Sequence, residues 1–136
     1  MIVADTNTIA YLYLPSDFSN YVETLLLKDS DWIAPVLWRS ELRNILTLYL
    51  RKNLISMDDA LEIQQQAEIL MRNNEYSMNS FEVLKTANAS GCSAYDSEFI
   101  CLAKSQKCKF ITGDKKLLKT FPDIAISAQD YIAYEF

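Results

Sequence analysis

A chain of 136 residues that is 50% hydrophobic and 12% aromatic can fill one core, and with only 2 Gly, 3 Pro and no Ser/Gly/Pro-rich run it excludes a disordered or linker-divided protein. The net charge of −5 excludes a protein that coats nucleic acid through bulk positive charge, and 0 His removes imidazole catalysis and the usual zinc ligands together. Cys92, Cys101 and Cys108 form no CxxC pair and fit reduced packing thiols; with no apolar run of membrane-spanning length, a cytoplasmic protein with a single domain over residues 1–136 is expected.

In chain order, Met1-Ile-Val-Ala is apolar and stops at Asp5, which predicts a buried parallel strand over 1–5 with an acid at its carboxyl end. Asp5-Thr-Asn-Thr8 then supplies cap chemistry for a helix. A helix is expected over 19–28, a short strand over 32–34, and, after Pro35, a long helix over 36–51. Ser56, followed by Asp58 and Asp59, predicts a capped helix running to about residue 72. A weak strand over 76–78 follows, then helices over 80–89 and about 94–106. A strand over 109–112, a Gly113-Asp114 turn into a short helix, and a strand over 124–127 complete the pattern. Strands alternating with helices imply an α/β fold whose parallel sheet is covered on both faces.

Four acids stand beside these apolar elements. Glu41 has Leu37 and Trp38 at i−4 and i−3 and Ile45 and Leu48 at i+4 and i+7, so it is expected within the apolar stripe of its helix. Asp96 stands in the same relation to Phe99, Ile100 and Ala103, in a first helical turn that favours negative charge. Asp5 and Asp114 each follow a strand, at the sheet edge where open α/β folds bind ligands. Singly, each has an ordinary explanation: a cap for Asp5, a turn for Asp114, a dipole partner for Asp96, an ion pair with Arg39 or Arg43 for Glu41. Their convergence on one sheet edge does not, because clustered carboxylates repel and lose hydration unless a cation neutralises them.

Oxygen ligands without His or Cys suit Mg²⁺ or Mn²⁺, and such a site performs phosphoryl chemistry. Asn7 and Thr112 are candidate supporting polar groups beside two of the acids. Lys104, Lys107, Lys109, Lys115, Lys116 and Lys119 crowd residues 104–119; Lys104, Lys107, Lys115 and Lys116 are candidate phosphate contacts, with a solvated helix face as the alternative.

Val3-Ala-Asp5-Thr-Asn7, Leu37-Trp-Arg-Ser-Glu41-Leu-Arg-Asn44, Ser93-Ala-Tyr-Asp96-Ser-Glu-Phe-Ile-Cys-Leu-Ala103 and Phe110-Ile-Thr-Gly-Asp114-Lys-Lys-Leu117 occur in an order and spacing that resembles the PIN-domain ribonucleases, more narrowly the VapC-type toxins of toxin-antitoxin operons. The resemblance covers nearly the whole chain. It implies a three-layer α/β/α sandwich with a parallel sheet of about five strands, Mg²⁺- or Mn²⁺-dependent endonucleolytic cleavage of RNA, homodimerisation, and inhibition by a cognate antitoxin. It carries the family's catalytic acids onto Asp5, Glu41, Asp96 and Asp114, with Asp5, Asp96 and Asp114 as metal ligands and Asn7 and Thr112 in support. Glu98, two residues from Asp96, is turned away on a helix and stays peripheral. Tyr11, Tyr13, Leu14 and Phe18 are expected in the core or at a partner surface. Two other readings stay open: a PIN-like domain that binds without cleaving, and a phosphatase using Asp5-Thr-Asn-Thr8, in which Asn7 replaces the second acid.

Overall fold

The computed structural model describes residues 1–134. Strands β1 (Ile2–Ala4), β2 (Trp32–Pro35), β3 (Glu75–Tyr76), β4 (Lys109–Ile111) and β5 (Ala125–Ile126) form one sheet in the order β3-β2-β1-β4-β5. Every neighbouring pair is parallel. The helices are α1 (Thr6–Ala10), α2 (Ser19–Lys28), α3 (Trp38–Arg51), α4 (Met57–Leu70), α5 (Ser80–Ser90), α6 (Ala94–Gln106), α7 (Lys115–Thr120) and α8 (Ala128–Ala133). Helices on both sides of a five-stranded parallel sheet make the expected three-layer α/β/α sandwich.

β1 is central because it is apolar at every position: Ile2, Val3 and Ala4 are wholly buried, as a strand flanked by two others and covered on both faces requires. It registers Val3 against Ile33 of β2 and against Phe110 of β4. From β1 the chain steps outward through β2 to β3, then crosses back to β4 on the other side. Right-handed crossovers running in opposite directions across the sheet put their helices on opposite faces. α6 accordingly packs on β1, β2 and β4 with α5 outside it, while α2 packs with α8. The strand order reverses between β1 and β4, so their carboxyl ends diverge there and leave a cleft.

Two local networks set the cleft's walls. Arg39 Nε and Nη2 bind both oxygens of Glu75 at 2.6 and 3.0 Å, Arg39 Nη1 binds Glu68 at 2.6 Å, and Trp38 Nε1 donates to Glu75 at 2.8 Å. These bonds tie the first turn of α3 to β3 and α4; Arg39 is committed there and is not the ion-pair partner of Glu41. On the other wall, the Ser93 hydroxyl caps α6 by accepting from Asp96 N–H at 3.0 Å.

The observed elements correct the sequence reading in three places. α3 begins at Trp38, because Val36 and Leu37 make the turn out of β2. Its buried stripe is Trp38, Leu42 and Leu46, whereas Leu48 is 47% exposed, so Glu41 flanks the stripe instead of interrupting it. α8 was not expected at all: six residues are too few for a periodic signal, and the helix is specified by its Ser127 cap and by Tyr131 buried toward α2. Cys92, Cys101 and Cys108 are all free thiols. Among the described residues no helix is long and apolar enough to cross a membrane.

Candidate active site

Asp5, Glu41, Asp96 and Asp114 line one cleft of about 620 Å³ at the carboxyl ends of β1 and β4. Asp5 leaves β1 in an extended conformation and caps α1: Oδ1 accepts from Thr8 N–H at 2.7 Å and Oδ2 from the Thr112 hydroxyl at 2.7 Å. Thr112, 1% exposed, also accepts from Asp114 N–H at 3.1 Å, so one buried hydroxyl bridges the two acids that end adjacent strands. Asp114 caps α7 through Leu117 N–H at 3.0 Å. Glu41 reaches in from α3, its Oε1 accepting from the Thr6 hydroxyl at 2.8 Å. Asp96 comes from the first turn of α6.

The electrostatics are those of an uncompensated acidic cluster. Burial pushes the Asp5 carboxyl above its ordinary pKa against the bonds from Thr112 and Thr8, and the charge of Asp114 pushes the same way. Burial likewise raises Glu41; the Thr6 bond opposes it, and Asp96, Asp5 and Glu98 add repulsion. Asp96 is raised by burial and by Asp114, against the lowering effects of Ser93 and Lys116. The acids are not sealed in the core, however: Asp5, Glu41 and Asp96 are half-buried and Asp114 is exposed.

Whether these residues fit Mg²⁺ or Mn²⁺ is decided by donor chemistry and room. The set is all hard oxygen, and Asp5 and Glu41 are oriented by hydroxyls that leave lone pairs facing the cleft. Among the described residues no three such groups close on a single point as a dry cage would. A cleft of this width suits an ion that keeps several of its waters, which is how Mg²⁺ is ordinarily held. The residues fit on those terms.

The remaining sequence candidates divide. Asn7 is exposed and lines the cleft beside Asp5. Lys116 lies at the rim, its Nζ donating to the Gly91 carbonyl at 3.2 Å and its charge favouring ionised Asp96. Lys115 starts α7 next to Asp114. Lys104 and Lys107 are not brought there. Lys104 lines a groove formed by α5, α6 and the end of α7, with Nζ 5.7 Å from the Phe121 ring centroid. Lys107 caps the far end of α6, about 16 Å along that helix from Asp96. The lysine-rich stretch is contiguous only in sequence, because α6 runs from the cleft toward the opposite edge of the sheet. Glu98 faces Met78, Val83 and Leu84 in a separate hollow.

Thr6 is the candidate-site residue that sequence reasoning missed. Its partner Glu41 is 35 residues away, a separation no local spacing rule reveals. Ser40, Asn44 and Tyr95 also line the cleft.

The PIN domain family model matches residues 2–122. The chain is 28% identical over 126 residues to the protein named Ribonuclease VapC3 of Pyrobaculum aerophilum, covering 89% of this chain and 95% of that relative. Its fold is similar to the crystal structure of PAE2754 from Pyrobaculum aerophilum, at a TM-score of 0.77 and 17% identity over 97% of this chain and 86% of that one. It is also similar to FitAcB from Neisseria gonorrhoeae, at a TM-score of 0.71 and 17% identity over 95% of this chain and 99% of that one. With a five-stranded parallel sheet, acids at its switch point and a family match over most of its length, the chain belongs to the PIN domain family.

Proposed function

We propose that this protein is a Mg²⁺- or Mn²⁺-dependent endoribonuclease, the toxin of a toxin-antitoxin pair, acting as one PIN-like domain over residues 1–136. The observation that carries this reading is the convergence of Asp5, Glu41, Asp96 and Asp114 on one cleft with three of their pKa values raised. That is charge a divalent cation would neutralise. The similarity to a protein named Ribonuclease VapC3 over nearly its full length supports RNA as the substrate.

Asp5, Asp96 and Asp114 would hold the ion, directly or through water. When bound, the ion supplies Lewis acidity, lowering the pKa of an attacking water and offsetting charge on the phosphate oxygens. The chain's own groups do the rest. Thr112 and Thr8 fix the rotamer of Asp5, and Thr112 couples it to the backbone of Asp114. Thr6 occupies one oxygen of Glu41 and leaves the other to orient water or accept its proton, a task that a raised pKa improves. Lys116 offers the rim a positive charge for the substrate backbone.

Homodimerisation, a cytoplasmic location and a cognate antitoxin protein that lays a basic or amphipathic segment over the acids belong to the same proposal. The test is incubation of an RNA panel with Mn²⁺, then with EDTA, for the natural chain, Asp5→Asn and Asp96→Asn. Cleavage that needs Mn²⁺ and is lost in both variants supports the reading. RNA binding that is metal-independent and never followed by cleavage would instead identify a PIN-like binding domain.

A further inference from the structure

On the α1–α2 side of the cleft a recess of about 220 Å³ opens directly from the acids, sharing Asp5, Asn7, Thr112 and Asp114 with it. Its other wall differs in character. The rings of Tyr11 and Phe18 lie 5.5 Å apart with planes 30° from parallel, Val22 adds apolar surface, and Gln129 lines the recess from α8. Phe18 is 45% exposed, although it stands in a loop that is held in place. Phe18 N–H donates to the Ser16 hydroxyl at 3.0 Å, Ser16 N–H to Ser19 Oγ at 3.1 Å, and the Ser19 hydroxyl to the Tyr11 carbonyl at 3.0 Å. The solvent-facing aromatic is therefore presented, not frayed. The recess is smaller than the roughly 300–1,000 Å³ that holds a drug-sized ligand, and suits one planar ring.

We propose that this recess is a base-binding subsite, in which Phe18 and Tyr11 stack on a nucleobase flanking the scissile phosphate while Asn7 and Gln129 read its edge; the proposal rests on the ribonuclease reading above. Three observations favour a base over other occupants. The recess is continuous with the acids, so a base there belongs to the nucleotide whose phosphate lies over Asp5 and Asp114. Unpaired RNA bases are recognised by stacking on aromatic faces and by hydrogen bonds to their edges. A side-chain amide carries both donor and acceptor, which a base edge requires, and neither Asn7 nor Gln129 spends its amide on another described residue.

The experiment compares the natural chain with Phe18→Ala, Phe18→Tyr and Gln129→Ala. A random-sequence single-stranded RNA is cleaved with Mn²⁺ and its ends are sequenced; separately, affinity for short homopolymeric oligoribonucleotides is measured without metal. Phe18→Ala should flatten the base preference at one position beside the cut and weaken binding of the preferred homopolymer roughly 10-fold. Phe18→Tyr, which keeps the ring, should retain both. Gln129→Ala should blunt the preference with a smaller loss of affinity. Phe18→Ala with the natural preference and affinity overturns the subsite while leaving the nuclease intact. Phe18-dependent, base-selective binding in a chain that cleaves nothing keeps the subsite and overturns the ribonuclease reading. Weakened binding of a protein partner with RNA binding unchanged assigns the recess to that partner and overturns the proposal.

Discussion

Two concavities of nearly equal size, about 620 and 660 Å³, differ in charge: the first is lined by acids alone among charged residues, the second by acid and base together. The first gathers four carboxylates at the switch point of the sheet. The second, formed by α5, α6 and the end of α7, is edged by Lys85 and Lys104, with Glu82 as counter-charge and Thr86, Ser90 and Thr120 between them. In the groove, polar groups are satisfied by near neighbours: the Cys101 thiol contacts the Glu82 carbonyl and the Thr86 hydroxyl, and Lys104 sits over Phe121. In the cleft they are set against one another, with burial and mutual repulsion raising Asp5, Glu41 and Asp96 together. Volume does not separate the candidate site from a packing groove; unrelieved charge does.

The sharpest way to break this contrast is Asp5→Asn. It keeps the cap on α1 and the shape of the side chain but removes the charge, and should lower Mn²⁺-dependent RNA cleavage by about 1,000-fold or more with an unchanged circular dichroism spectrum. Next comes Thr112→Val, which leaves Asp5 and the Asp114 N–H without their shared buried partner. Activity should fall roughly 10- to 100-fold, as for other groups that orient metal ligands, with a stability loss of about 1–3 kcal/mol by denaturant titration.

A third prediction uses proton linkage. The pKa values of Asp5, Glu41 and Asp96 are raised in the folded chain above ordinary values of 3.8, 4.5 and 3.8. As pH rises, the unfolded chain ionises these groups first, so their contribution to stability is present at low pH and lost between the ordinary and the raised values. Metal-free protein should accordingly lose a few degrees of Tm as pH rises above the ordinary carboxylate range. Mn²⁺ should restore the loss, and Asp5→Asn should flatten the slope; a slope of opposite sign that ignores Asp5 would break the electrostatic account of the cleft. The smallest effect belongs to the groove: Lys104→Ala should change cleavage by less than about 2-fold, since no rim contact is lost.

Much of the element pattern was legible because it is written in local chemistry. The helix over 19–28 is found as Ser19–Lys28, and Ser56 with Asp59 forms the anticipated cap on α4. Asp5 and Asp114 could be placed at strand ends because an apolar run that stops at an acid is a feature of neighbouring residues. The lysine-rich stretch divides for the converse reason: Lys115 and Lys116 stand beside Asp114 and Asp96, but sequence proximity does not report that α6 spans the molecule and carries Lys104 and Lys107 away from Asp96. Thr6 was invisible because its meaning lies in a bond to another element.

By itself the sequence determined that four acids would stand beside apolar elements in a chain without histidine, and hence that any metal would be a hard, oxygen-bound one. Only the tertiary structure decided how open the resulting cleft is, which hydroxyls hold Asp5 and Glu41, and that Tyr11, packed against the core, and the exposed Phe18 together line a recess beside the acids. The reason is physical: hydrophobic pattern and capping act over a few residues, whereas hydrogen bonds, repulsion and void space at a sheet edge depend on groups that only chain crossovers bring together.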